Sequence, residues 1–261
     1  MKRIIPINWF VCPVTKEVLS HRNEHLVSSA GIYHNEELFW NFTPNQEEIF
    51  SDKKWKTWEK LQENGVVSYE SSPQNNLGVG KRYDFLNFAE FCDFRPLVLD
   101  IGVGPQKCPT HIEYNTKTDI FFIGIDPLVG EQPRDFAFVQ GLGEFLPFVD
   151  ELFDQVIYVT SLDHFIDPVQ TLLEAKRVLK ADGEICIWIG EKDKNAPRPA
   201  VSPEWYQQLE VPQGAEDPFH FKRFSIAEFE EYVQKAELRI TKQVVHEVDA
   251  WRKNCFYKLS K

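Results

Sequence analysis

The rhythm of hydrophobic and polar positions changes twice along the chain. Over residues 1–65, short apolar pieces at 11–15, 25–33 and 38–42 alternate with turn-prone polar ones, which predicts a small β-rich unit. A helix is expected over 44–61, where Trp55, Trp58 and Leu61 recur at helical spacing. Residues 66–81, which include Ser71-Ser-Pro-Gln-Asn-Asn-Leu-Gly-Val-Gly80, read as a linker. From 82 to 261 helical and strand patterns alternate. The strands, at 97–101, 120–125, 136–140, 155–160 and 184–189, are apolar along most of their length, as a parallel sheet covered on both faces requires.

The helix expected over 168–180 carries its own signals. Asp167 can cap it, Pro168 suits its first turn, and Val169, Leu172, Leu173 and Leu179 form one stripe. Gly183 stands where the chain leaves that helix. Two final strands, at 238–248 and 254–259, predict an antiparallel hairpin closing one sheet edge. The fold class is therefore α/β, a Rossmann-like sheet with a C-terminal antiparallel hairpin and a small N-terminal β-rich subdomain.

Composition narrows the function. Hydrophobic residues make up 43% and charged residues 26% of the 261 positions, the profile of a soluble globular protein. The formal charge of −11 repels phosphate backbones, so nucleic acid is disfavoured as a partner. Lys53-Lys-Trp-Lys56, the one dense basic run, reads as a solvated helix face. The five cysteines have no C-x-x-C spacing, which predicts reduced thiols in the cytoplasm. The interrupted apolar start is no signal peptide, and no run is long enough to span a bilayer.

The chemistry concentrates at strand ends. The strand at 97–101 carries Asp100 and opens into Gly102-Val-Gly104, a turn that lets a ligand approach the backbone closely. A dinucleotide turn would place a third glycine where Lys107 stands, after Pro105, so NAD is disfavoured. Asp126 ends the second strand, where a carboxylate can accept from both ribose hydroxyls. Gln140-Gly-Leu-Gly-Glu-Phe-Leu-Pro-Phe148 follows the third.

With Asp154-Gln-Val-Ile-Tyr-Val-Thr-Ser-Leu-Asp-His-Phe-Ile-Asp-Pro168 and Leu173-Glu-Ala-Lys-Arg-Val-Leu-Lys-Ala-Asp-Gly183, these motifs over about 82–260 resemble class I S-adenosylmethionine (SAM)-dependent methyltransferases of the quinone-biosynthesis type. The Ser161-Leu-Asp-His164 run and the later Phe219-His-Phe221 add a small-molecule or sugar methyltransferase flavour. The resemblance implies that Asp100, Gly102, Gly104 and Pro105 shape the methionine end of SAM. It further implies that Asp126 and Pro127 hold the ribose, that 141–144 with Gly143 and Glu144 flanks adenine, and that Ser161 opens the loop beside the sulfonium. Relatives often carry Asp where Leu142 stands, and a Glu144 or backbone contact would replace it. The N-terminal segment is similar to zinc-ribbon domains found beside some methyltransferases. Cys12-Pro13 matches the first knuckle and the segment from Ser28 to Tyr33 the second, with Thr15 and Ser28 or Ser29 where further cysteines would fall. With Cys12 alone remaining, it is read as a metal-free relic.

Methyl transfer from a sulfonium depends mainly on positioning, and a base matters only where the acceptor loses a proton. His164 or His220 is the expected base, with Asp163 orienting it. Tyr83, Trp188, Trp205 and Tyr206 are candidate aromatics for the acceptor pocket, and the Pro-rich insertion at 196–218 a candidate lid. No metal is expected. The leading reading is O-methylation of a sugar or natural product. RNA or protein methylation and a non-catalytic partner subunit are the alternatives, and a homodimer is the assembly kept open.

Overall fold

Alternate residues of β8 (Phe153–Val159) serve two different cores, and this sets the architecture. Val156 and Tyr158 face one apolar cluster, and Ile157 and Val159 face the other. A strand with period-two side chains that is apolar on both faces must be covered on both. One face packs against α2 (Tyr83–Cys92) through Phe85, Phe88 and Cys92. The other packs against α3 (Pro168–Val178) and α4 (Ile226–Lys235) through Leu172, Ala175, Phe229 and Val233.

The computed structural model describes residues 4–45, 49–193, 195 and 204–261. β5 (Leu97–Ile101), β6 (Phe121–Asp126), β7 (Ala137–Gln140), β8 and β9 (Leu179–Lys192) are parallel, in the order β7-β6-β5-β8-β9. The expected C-terminal hairpin is present: β11 (Arg252–Ser260) runs antiparallel to β9, and β10 (Arg239–Glu247) antiparallel to β11. At the other edge, β1 (Ser20–Arg22), β2 (His25–Ser28) and β3 (Gly31–Asn35) form a meander, and β4 (Trp40–Asn41) joins it to β7 in parallel. Among the described residues, no helix is long and apolar enough to cross a membrane.

The N-terminal strands therefore extend the central sheet. Phe10, Leu26, Tyr33 and Phe42 share a core with Val139 and Phe148. Buried Glu174 on α3 reinforces the join: it accepts from Lys16 Nζ, from Arg177 Nε at 2.8 Å and from the Leu146 amide at 2.9 Å. At the ribbon-like positions, the buried Cys12 sulfur receives the Thr15 amide and the Ser28 hydroxyl, each at 3.3 Å, and lies 3.3 Å from Tyr33 Oη. Burial raises this thiol, but the hydrogen bonds outweigh it and hold it at about 7.

Two local expectations need correction. The helix expected over 44–61 is α1 (Asp52–Ser71), so it takes in the first part of the stretch read as linker; residues 46–48 lie outside the described ones. The Trp55–Trp58–Leu61 stripe continues through buried Asn64 and Ser68, and this semi-polar extension hid the helix from a hydrophobic-pattern reading. The helix expected over 168–180 ends at Val178. Leu179 already pairs with Phe153 in the sheet, and Gly183 lies inside β9, where a Cβ would stand 2.6 Å from the Leu179 side chain. Gly183 answers a packing need there, not a helix stop. Asp167 does cap α3, accepting from the Val169 and Gln170 amides at 3.0 Å.

Candidate active site

The carboxyl ends of the parallel strands converge on one cavity, where open α/β sheets bind ligands. β5 leads into Gly102 and Gly104, at φ +76° and +82°. This left-handed region favours glycine. A Cβ on Gly102 would stand 2.5 Å from that of Ser161, so the turn also needs glycine to pass the neighbouring strand end. The turn is cross-braced. Gly104 N donates to Asp126 Oδ2 at 2.7 Å, and Leu128 N to Asp126 Oδ1 at 2.8 Å. Burial pushes the Asp126 carboxyl up to about 6, against the pull of those two amides.

Arg134, which the sequence did not single out, clamps the same region. Its guanidinium donates to the carbonyls of Gly104, Gln106, Leu128 and Val129 at 2.6–3.1 Å and lies 3.8 Å from the Phe138 ring centre. His111 is a second such residue. It is buried and pairs through Nε2 with Asp100 Oδ2 at 2.7 Å. Asp100 Oδ1, His111 Nδ1 and Gln106 Oε1 are buried with no hydrogen-bond partner among the described residues, and all three residues line the cavity. Buried polar atoms without partners are costly, and here they stand where a polar ligand would complete them.

Several residues carried over by resemblance line the cavity: Asp100, Gly102, Gly104, Asp126, Pro127, Glu144 and Ser161. Ser161 Oγ is engaged by the Ile101 carbonyl at 2.6 Å. Glu144 Oε1 is engaged too, accepting from the amides of Ile166 (2.8 Å) and Asp167 (3.3 Å), and burial raises this carboxyl to about 7. Glu144 thus joins the 141–144 segment to the loop entering α3. Pro105 and Gly143 stand back from the cavity wall. A Cβ on Gly143 would meet Phe165, Thr171 and Ile101 within 2.8 Å, so that glycine is there for packing.

Of the polar groups expected at the acceptor, His164 lines the cavity, whereas Asp163 and His220 stand beside His164, off the cavity wall. β8 is followed by Thr160, a β-branched residue at φ +56°, and then by a 3₁₀ turn (Leu162–His164). It carries Asp163 and His164. His220 arrives from the segment before α4, and its ring centre is 4.4 Å from that of His164. Asp163 lies 3.9 Å from His164 Nε2 and 3.7 Å from His220 Nε2, too far to hydrogen-bond either. The carboxylate that orients His220 is Asp217, at 2.8 Å from Nδ1 and itself held by Arg223 Nε at 2.7 Å. Burial raises Asp217, but His220 and Arg223 outweigh it and hold the carboxyl well below the usual range. Burial, with His220 alongside, lowers His164 to about 4, so its ring is neutral at pH 7.

α1 closes this end. Trp58 Nε1 donates to the His164 carbonyl at 3.0 Å, and Asn64 Nδ2 to the carbonyls of Glu210 (3.3 Å) and Pro218 (3.0 Å). Trp58, Gln62 and Tyr69 of α1 line the cavity. Burial, with Asp126 and Asp163 nearby, pushes the Tyr69 hydroxyl up. Of the candidate aromatics, Tyr83 is 71% exposed and Trp188 is core, packed on Phe85, Phe88 and Phe256. Trp205 and Tyr206 meet edge to face and lie tilted against Phe219, while residues 196–203 of the expected lid lie outside the described ones.

Residues 99–187 match the family model described as a methyltransferase domain. The chain is 33% identical over 97 residues to the uncharacterized methyltransferase YcgJ of Bacillus subtilis, covering 37% of this chain and 36% of YcgJ. It is 26% identical over 150 residues to the uncharacterized protein YafE of Escherichia coli, covering 56% and 69%. Among solved structures, the 1,6-didemethyltoxoflavin-N1-methyltransferase of Burkholderia thailandensis superposes with a TM-score of 0.55 at 13% identity, over 90% of this chain and 98% of that one. At that identity the likeness speaks for the fold. The cavity has features that suit SAM: a buried carboxylate, a glycine turn open to the backbone, and unpartnered polar atoms. Residues 99–187 thus have the sequence pattern of a methyltransferase domain, carried on a Rossmann-like methyltransferase fold.

Proposed function

We propose that the protein transfers the SAM methyl group to a hydroxyl of a small molecule, such as a sugar or natural product. In this reading Asp126 accepts from the ribose hydroxyls, and Asp100 Oδ1 takes the SAM ammonium. Adenine lies along Leu128 and Leu142, and the sulfonium points toward His164. The acceptor sits between the sulfonium and the Asp163–His164–His220 group, where its proton is lost.

The observation that carries this reading is a pair of adjoining imidazoles, His164 on the cavity wall and His220 beside it, the latter oriented by Asp217. Acceptors that need no deprotonation have no use for such a group. The acidic chain and the α1 cover favour a small acceptor over nucleic acid. The five free cysteines fit a reducing compartment. In this reading the N-terminal strands and α1 serve acceptor docking.

The test is an assay with SAM and a panel of hydroxylated small molecules, read by product mass and by S-adenosylhomocysteine formed. His164→Asn and His220→Asn should each lose turnover while keeping affinity for S-adenosylhomocysteine. Near-normal turnover in both would defeat the proposal.

A further inference from the structure

We propose that Asp163, His164 and His220 form a mononuclear site for a divalent transition-metal cation, with zinc(II) as the reference ion, at the acceptor end of the cavity. The inference rests on the reading that this end receives the acceptor, and it specifies how the acceptor's proton becomes labile.

The spacing is the first argument. The ligand atoms of the three residues lie within 4.8 Å of one another. The Asp163 carboxylate stands 3.7 Å and 3.9 Å from the two imidazole nitrogens, beyond hydrogen-bonding reach. Ligands on a tetrahedral ion with bonds of about 2.0–2.1 Å stand about 3.4 Å apart. The two carboxylate–imidazole distances exceed this by a few tenths of an ångström, and no pair of the three ligand atoms stands more than 4.8 Å apart.

The second argument is orientation. With Asp217 ionised, its oxygen accepts the His220 Nδ1–H at 2.8 Å, which leaves the Nε2 lone pair toward Asp163 and His164. A carboxylate behind a histidine is the usual outer support of an imidazole ligand. Asp217 is held in turn by Arg223 Nε at 2.7 Å and by the amides of Phe219 and His220, both at 2.9 Å. The opposite side is braced as well, since the Lys222 amide donates to the Asp163 carbonyl at 3.4 Å and Trp58 to that of His164.

Donor chemistry selects the ion. Two imidazoles and one carboxylate suit zinc, iron(II), cobalt(II) or nickel(II), whereas magnesium prefers oxygen ligands and retained water. Three protein ligands leave a position open, as catalytic sites require. An acceptor hydroxyl bound there loses its proton to water near neutral pH, because the cation stabilises the alkoxide. An oxygen lone pair then forms the O–CH₃ bond as the C–S bond breaks. The C–S electron pair stays on sulfur, so the sulfonium becomes the neutral thioether of S-adenosylhomocysteine. The metal keeps its charge throughout.

The test uses the full chain, stripped with EDTA and titrated with zinc chloride and, separately, magnesium chloride by calorimetry, with cobalt(II) spectra as a second readout. The expected result is one zinc per chain, no competition from magnesium, and ligand-field bands of four- or five-coordinate cobalt. His164→Asn, His220→Asn and Asp163→Asn should each weaken zinc more than about tenfold, and Asp217→Asn by about 10–100-fold. Unchanged affinity for S-adenosylhomocysteine shows that each variant is folded. No stoichiometric zinc in the wild type, or zinc binding untouched in the double histidine variant, overturns the inference. EDTA-resistant turnover that still depends on His220 would also overturn it, while leaving the proposed function standing. Stoichiometric zinc without methylation of any hydroxyl acceptor would uphold the site and defeat the proposed function.

Discussion

The two ends of the cavity are built in different ways. The end proposed to hold the cofactor comes from strand termini of one sheet: Asp100, Gly102 and Gly104 at the end of β5, Asp126 at the end of β6 and the 141–144 segment after β7. Their relative positions follow from sheet register, with Asp100 opposite Gly124 and Asp126 opposite Gln140. The acceptor end is assembled from three separate stretches: the turn after β8, the 217–223 segment and α1. Its geometry depends on side-chain bonds between loops. The first end is fixed by backbone, which in the proposed function would keep a common cofactor in place, and the second by contacts that substitution could retune for a particular acceptor.

This contrast predicts separable failures. The largest expected effect is at the acceptor end: His220→Asn should lower kcat by about 10²–10⁴-fold with cofactor affinity unchanged. Steady-state kinetics beside calorimetry reads both, and a parallel loss of both would merge the two ends. Gly102→Val should do the reverse. A β-branched residue at φ +76° with its Cβ 2.5 Å from that of Ser161 should weaken S-adenosylhomocysteine by about 100-fold or more. Binding within fivefold of wild type would mean that the turn does not cradle the cofactor.

Glu144 joins the two ends, and its expected signature is in stability. Its folded-state carboxyl, raised to about 7, lies above the ordinary value of 4.5. The folded state therefore holds that proton more tightly than the unfolded chain. The stabilisation is fully present below about 4.5 and is lost as pH rises through 7, for a total of up to about 3 kcal/mol. Glu144→Gln keeps an acceptor for the Ile166 and Asp167 amides and should flatten this slope in urea unfolding from pH 5 to 8. An unchanged slope would assign the pH dependence elsewhere. The smallest effect concerns Asp126. If the ribose hydroxyls bind its ionised form, cofactor affinity should fall about fivefold between pH 6 and pH 5. Flat affinity over that range would remove Asp126 from the ribose contact.

The same contrast explains what could be read from the sequence. The parallel strands, the closing hairpin and the Asp167 cap were legible because each rests on a local period or a local signal. So was the meeting of Gly102, Gly104 and Asp126, since strand ends in such a sheet share one edge. Arg134 was not, because four carbonyls from two loops define its role and none is adjacent in sequence. His111 gave no signal outside its pairing with Asp100. Asp217 could have been found: it stands three residues before His220 in a Pro-containing turn, a spacing at which an aspartate bonds back onto the turn. Asp163 was the carboxylate expected to orient the base, and the structure gives that place to Asp217. The reach of α1 over the cavity was hidden because its second half presents Asn64, Ser68 and Tyr69 where an apolar stripe was sought.

The central claim is that the strand-end cavity is a SAM site organised around Asp126. A calorimetric titration of the purified chain with S-adenosylhomocysteine tests it most directly. One site per chain is expected, with a Kd of about 1–100 µM, weakened at least tenfold by Asp126→Ala in a variant that still unfolds cooperatively. Absence of saturable binding in the folded wild type, or binding indifferent to Asp126→Ala, would contradict the account.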